Sequence, residues 1–334
     1  MSEERRVKTH IVFVLKNLFE YAQKQGSLDL FLDQNQVNKI IYRLYYLRHD
    51  FKEKFVDAIA EIIDPSWQDN LDEQMAIFKL ALERVSLSAQ TKRSLYFVGG
   101  EKEDSFAHIY PQFSKEEGQK YFELSNARIY LNVSPQFIAD LLIPLLSYIE
   151  QAIALPVLCN KCGFDKTARV LFCPKCKNVL EKGVPGEMKF QDYRMIESND
   201  YVAMLRADKV VLYFNATSQN IKKILSWLKE DQYIFELLDG QKPPLFTKPL
   251  LRGKGIGYAP EPTAKQVERY AKERGKTRAA FSSLMRHIIA THVYLWYKRE
   301  KRDPTLNEMK ELADVIYKVE MKQKWKIEFE LGLQ

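Results

Sequence analysis

All four cysteines of the chain fall inside one short window, LCNKCGFDKTARVLFCPKCKNVL, as Cys159, Cys162, Cys173 and Cys176. Thiolates are soft, strongly ligating groups, and a CxxC turn aims two of them to one side of the backbone. Two such turns separated by ten residues can close tetrahedrally on one ion. Four protein sulfurs leave no open coordination position, so the expected role of a bound Zn2+ is to staple a small hairpin rather than to catalyse.

The CxxCG and FCPxC forms in this window resemble a short zinc ribbon. The same segment carries Lys161, Lys166, Arg169, Lys175 and Lys177, which suit contacts to phosphate. A nucleic-acid partner is therefore one expectation for it. Disulfides are not expected in a chain that reads as cytosolic.

Charge is spread unevenly. Residues 241–334 hold 20 Lys and Arg against 11 Asp and Glu, a balance of +9, and the whole chain carries +7, leaving −2 for residues 1–240. An anionic partner would dock on the basic third. The amino end, MSEERRVKTHIVFVLKNLFEY, has only a brief apolar run and no secretory core. The most apolar window, FIADLLIPLLSYIEQAIALPVL, contains Asp140, Pro144 and Glu150 and reads as a buried helix. The expectation is a soluble, cytoplasmic protein with no membrane partner.

These side chains need elements to hold them. Residues 1–92 read as a helical N-terminal region, with apolar repeats at Val12, Leu15, Leu18, Phe19 and at Ile40, Ile41, Leu44, Leu47, and a break near Pro65. Residues 93–155 begin an α+β core with strands in SLYFVGG, FAHIYPQF and ARIYLNV, then a helix from Pro135 to Ile153. Residues 156–182 form the ribbon. Residues 183–334 complete the core: strand KVVLYFN, helix SQNIKKILSWLKE capped by Ser218, strand QYIFELL and a turn at Asp239-Gly240. Basic helices TAKQVERYAKERG and TRAAFSSLMRHIIATHVYLWYKRE, another from Thr305 and a closing strand KWKIEFEL end the chain. The fold class is α+β, with a helical N-terminal region, a mixed α+β core and an inserted four-cysteine zinc ribbon.

Several segments in a fixed order resemble the HopA effector family, named for bacterial type III secreted effectors. They are ARIYLNVSPQFIADLL (127–142), MKFQDYR (188–194), LRADKVVLYFN (205–215), PLFTKPLLRGKGIGYAPEP (244–262) and FSSLMRHIIA (281–290). The ribbon stands between the first and second of them. The resemblance implies β-elimination of phosphate from phosphoserine or phosphothreonine, as in relatives from class V lanthipeptide and thioamitide pathways (RiPP biosynthesis). There a separate kinase supplies the phosphorylated peptide, and the fold is held similar to phosphothreonine lyases.

Such a reaction needs a base, a cationic clamp and an acid. At the motif positions Lys189 is the candidate base, and Arg128, Arg206, Lys248 and Arg286 are the candidate phosphate-binding residues. His108 and Tyr130 are both candidates for the acid, and the residues do not choose between them. RGKGIG lacks the GKS/T ending of a P-loop and reads as a tight glycine turn that carries Lys248 and Arg286 towards one anion.

Two other classes compete. GYAPEPTAKQVERYAKERGKTRAAFSSLMRHIIA loosely imitates a ribbon-helix-helix module, and IYRLYYLRHDF and VYLWYKREKR set aromatics among basic residues, so DNA or RNA binding without catalysis is the main rival. The third is a HopA-like peptide-binding protein without the chemistry.

Overall fold

The computed structural model describes residues 2–24, 26, 28–46, 68–101, 104–111, 120–197, 200–215, 218–275 and 279–329. The break expected near Pro65 and part of the aromatic run IYRLYYLRHDF lie outside them. The chain divides into two compact units, one of residues 1–65, 244–248 and 259–330, the other of residues 66–243, 249–258 and 331–334.

The first unit is helical, built on α1 (Glu3–Lys24), α2 (Gln34–Tyr46), α8 (Ala264–Arg274), α9 (Phe281–Glu300) and α10 (Leu306–Val315), which runs into a wider π-helical stretch at Ile316–Lys324. Helix α1 buries Val7, Ile11, Val14, Leu15 and Leu18, the three-and-four spacing of one helical face. Both α8 and α10 open with a capping box, Thr263 with Gln266 and Thr305 with Glu308, and α8 ends at Gly275 in the left-handed region (φ 67°).

The segment PLFTK is buried in this unit. Phe246 donates its N–H to His10 Nδ1 at 2.9 Å, and Arg6 donates through Nη1 to the carbonyls of Phe246 (3.0 Å) and Thr247. Phe246 holds φ at 66°, uncommon for a side chain of that size. Its ring packs edge-on against His10 and stacks on Tyr45, which offsets the backbone strain.

The closing strand KWKIEFEL does not form through Phe329. Trp325, Ile327 and Phe329 are buried alternately, which is the pattern the sequence shows. Ile327 donates instead to Met321 O, and Phe329 packs on Phe281, so the alternation reflects one-sided burial against helices without a ladder.

The second unit holds most of a seven-stranded sheet in the order β1-β2-β4-β5-β3-β7-β6, with Lys248 and residues 259–260 counted in the first unit. The strands are β1 (Leu95–Val98), β2 (Phe106–Pro111), β3 (Ala127–Leu131), β4 (Glu187–Gln191), β5 (Val210–Phe214), β6 (Lys248–Pro249) and β7 (Ile256–Pro260). Helices α3 (Gln68–Thr91) and α4 (Ile138–Ala154) pack together and against β1 and β2. Short helix α5 (Tyr201–Leu205) and helices α6 (Ser218–Glu230) and α7 (Gln232–Leu237) complete the unit. The side chain of Ser218, expected to cap α6, lies outside the described ones.

QYIFELL is helical, not a strand. Asp231 caps α7 by accepting the Ile234 N–H at 3.1 Å, and Ile234 and Leu238 are buried at i,i+4 spacing. The same two residues also lie an even number apart, so the apolar pattern alone fits either period.

Among the described residues, one helix, over Pro135–Ala154, is long and apolar enough to cross a membrane, and it buries Ile138, Leu141, Leu142, Leu145, Leu146 and Ile149 inside the protein.

RGKGIG forms the turn between β6 and β7. Gly253 takes φ 75°. A Cβ on Gly255 would stand 2.2 Å from the Asn132 carbonyl oxygen, so this glycine permits the backbone to press against the end of β3. Lys254 turns inward, donating to Phe235 O at 2.9 Å and meeting Asp239 at 2.7 Å. β7 lies within the sheet beside β3, which is not the arrangement of a free DNA-reading strand.

Candidate functional site

The two CxxC turns are built alike. Gly163 N–H donates to Cys159 O and Cys159 N–H to Phe164 O, both at 2.9 Å; Lys177 N–H donates to Cys173 O and Cys173 N–H to Asn178 O, both at 2.8 Å. The residue after each second cysteine is left-handed, with φ 67° at Gly163 and 57° at Lys177. The second turn therefore tolerates a conformation that costs an ordinary side chain about 1–2 kcal/mol.

The folded turns bring the sulfurs together. Cys159 Sγ lies 3.6 Å from Cys176 Sγ and Cys162 Sγ 3.6 Å from Cys173 Sγ, with all four within 4.8 Å of one another. A tetrahedral ion with metal–sulfur bonds of about 2.3 Å needs sulfurs roughly 3.8 Å apart. The donor set fits a metal ion such as zinc.

Without a cation the thiols oppose one another. The backbone near Phe164 draws Cys162 down, but burial and the other thiols hold it up at about 12. Burial would raise Cys173, yet the N–H groups of Cys176 and Lys175 and the neighbouring thiols bring it to about 7. One thiolate is stabilised at the expense of the next, an imbalance that a divalent cation removes. Cys159, Cys173 and Leu180 form the small interior of the module with Val157, Phe164 and Val170 around them. So few apolar groups make a thin core, which is where a metal contributes most to folding.

Lys182 ties the module to α4. Its Nζ donates to the carbonyls of Ile153 (2.8 Å), Leu155 (2.6 Å) and Thr167 (2.9 Å). Burial, then the charge of Lys223, pushes its amine down to about 8, while two carbonyls at the negative end of α4 and one in the ribbon favour the ammonium. The sequence reading missed this residue.

A second constellation lies on the sheet. In β2, β4, β5 and β3 alternate residues divide into an apolar face, with Ile109, Met188, Phe190, Leu212 and Ile129 buried, and a face of different chemistry. On that second face His108 pairs across from Lys189, Lys189 from Val211, and Val211 from Tyr130, while Glu187 pairs with Tyr213 and Tyr213 with Arg128. Four of the residues singled out from sequence, Lys189, His108, Tyr130 and Arg128, thus share one face of adjacent strands.

Their neighbours define its electrostatics. His108 Nδ1 is 2.5 Å from Glu187 Oε1, and His108 Nε2 is 3.2 Å from Asp104 Oδ2. Tyr110 donates to the same Glu187 oxygen at 2.9 Å; burial, then the Glu187 charge, pushes its phenol far up, so it remains a neutral donor. Glu187 is 1% exposed, and its Oε2 has no hydrogen-bond partner among the described residues. Lys189 Nζ lies 3.7 Å from Asp104 and 4.0 Å from Glu187. The Arg128 guanidinium stands 4.6 Å and the Lys189 ammonium 5.5 Å from the centre of the Tyr213 ring.

No family model and no curated protein matches the chain. One solved structure similar to it is described as the effector protein from Pseudomonas syringae pv. tomato strain DC3000. The neighbour is an effector. The similarity covers 91% of this chain and 93% of that one at 14% identity, with a TM-score of 0.43.

The remaining expected phosphate ligands are placed differently from one another. Arg206 reaches over the ring of Phe106 at 5.1 Å, on the same side of the sheet as His108, and forms a two-pronged pair with Asp208 through Nε and Nη2, both at 2.8 Å. Lys248, on β6, and Arg286, on α9, belong to the first unit. Arg286 stacks 4.5 Å over Tyr42 and donates to Ser282 O and Ser283 Oγ. Lys161, Lys166, Arg169, Lys175 and Lys177 are all exposed on the ribbon.

Sequence reasoning missed Glu187, Asp104 and Tyr110. The signal was present: EMKFQ alternates charged and apolar residues, which places Glu187 beside Lys189 on one face, and FAHIYP does the same for His108 and Tyr110.

Proposed function

We propose that the chain is a lyase that removes phosphate from phosphoserine or phosphothreonine in a peptide or protein, using the polar face of β2, β4, β5 and β3. The observation that carries this reading is that Lys189 and Arg128 both approach the Tyr213 ring while His108 pairs across from Lys189. Lys189 Nζ takes the Cα proton; the electron pair forms the C=C bond; the Cβ–O bond breaks, and His108 gives a proton to the departing phosphate oxygen. Arg128 holds the phosphate, with Arg206 at the rim of the same face. His108 suits the acid role better than Tyr130, because both its ring nitrogens sit on carboxylates, whereas Tyr130 is fully buried. Lys248 and Arg286 are counted in the first unit, and this reading assigns them no step. A kinase that phosphorylates the peptide is the implied partner.

In this reading the four cysteines hold structural Zn2+. A zinc ion with four thiolates carries a charge of −2, so the exposed ribbon lysines and arginine also serve to offset it. That argument weighs against nucleic acid as the ribbon's principal partner. A phosphoserine peptide incubated with the purified protein should lose phosphate and yield dehydroalanine, read by mass. An intact phosphopeptide after prolonged incubation with metal-loaded protein overturns the proposal.

A further inference from the structure

We infer that the metal centre positions the polar sheet face, through the contact between Phe172 in the ribbon and Tyr121 beside the sheet. Phe172 directly precedes the ligand Cys173 and bridges Val179 across the ribbon hairpin. Its ring meets that of Tyr121 edge-on, 6.0 Å between centres at 86°. Tyr121 is buried and donates its hydroxyl to Val184 O at 3.2 Å, three residues before β4 begins.

The next residue, Phe122, reaches the face itself. It packs edge-on against Tyr110 (6.1 Å) and Tyr213 (5.7 Å), the two tyrosines that contact Glu187 and Arg128 respectively. Gly186, immediately before Glu187, is pressed against this turn: a Cβ there would lie 3.0 Å from Phe122 Cα and 2.6 Å from Ser125 Oγ. Gly186 also donates to Tyr213 O at 2.6 Å. A closed ribbon therefore fixes Phe172, Phe172 backs Tyr121, and the Tyr121–Phe122 turn holds both the entry of β4 and the ring under Arg128 and Lys189. Phe172 and Tyr121 are positioning residues.

The consequence for catalysis rests on the lyase reading; the coupling does not. Hydrogen exchange tests it on the full chain, metal-loaded and after chelation, following peptides over residues 120–124 and 187–191, with α1 as the control. Chelation should cause a several-fold loss of protection in both peptides and leave α1 unchanged. Phe172→Leu, with metal content confirmed, should reproduce the loss at 187–191. Unchanged exchange at 187–191 after chelation overturns the inference, as does wild-type exchange in metal-loaded Phe172→Leu. Should chelation unfold α1 as well, the Phe172→Leu measurement alone decides. A wild type that shows the coupling but never forms dehydroalanine would sink the lyase reading and leave this one standing.

Discussion

His108 Nδ1 and Glu187 Oε1 stand 2.5 Å apart on neighbouring strands, with Tyr110 donating to the same oxygen. A buried carboxylate that accepts two donors fixes the ring plane of the histidine, as an orienting partner does in acid–base sites. Removing it leaves the donors unpaired: Glu187→Ala should destabilise the protein by about 1–3 kcal/mol, measured by denaturant unfolding. Glu187→Gln should retain most of the stability and, on the proposed lyase reading, lose turnover, separating orientation from folding.

Arg128 stacks on the Tyr213 ring, whereas Arg206 is held in a two-pronged pair by Asp208. Charged hydrogen bonds contribute about 1.5–3 kcal/mol, so on the proposed lyase reading Arg128→Ala should raise KM for the phosphopeptide roughly 10- to 100-fold. Arg206→Ala should have a smaller effect on KM and a larger one on stability. Equal effects on KM would remove the distinction.

The cysteine centre should govern stability. Cys159→Ser or Cys173→Ser should abolish stoichiometric zinc binding and lower Tm, while surface changes such as Lys166→Ala leave zinc content intact. Metal analysis and thermal melts check both.

Acid should act through Asp192. Burial alone would raise its carboxyl, yet hydrogen bonds from Arg194 and from the Gly100 N–H hold it below the usual range. A depressed folded-state value means that Asp192 contributes stability above the unfolded carboxylate value of about 3.9, and that this contribution is lost as pH falls through the folded value. The stability gap between wild type and Asp192→Asn should be constant near neutrality and close below about pH 4.

Gly255→Ala tests the turn between β6 and β7. The added methyl meets the Asn132 carbonyl at 2.2 Å and neither backbone can give way cheaply. A loss of about 1–3 kcal/mol is expected, as for overpacked sites. Gly253→Asn, at φ 75°, should be milder.

Much of this was legible from residue types. The CxxC spacing announces the cluster of four sulfurs, Thr263 and Thr305 announce two helix starts, and Asp140, Pro144 and Glu150 mark α4 as a core helix. The polar face was half legible. Residue order placed Lys189 and His108 on strands, but their pairing depends on register between β2 and β4, strands separated in sequence by β3, α4 and the ribbon. The surroundings of the PLFTK segment were not legible for a related reason. Its residue types do not say what surrounds it, and Arg6, which donates to its carbonyls, and His10, the partner of Phe246, both more than two hundred residues away, show it to be buried.

The Lys182 ammonium touches both Leu155 O, where the chain leaves α4, and Thr167 O, within the ribbon, while Lys182 itself is where the chain returns towards β4. Exit and return are thus stitched at one point, so the ribbon is a cassette whose excision need not reroute the strands on either side. Evolution could add or drop such a loop without redesigning the topology, and what it would surrender is the brace behind Tyr121.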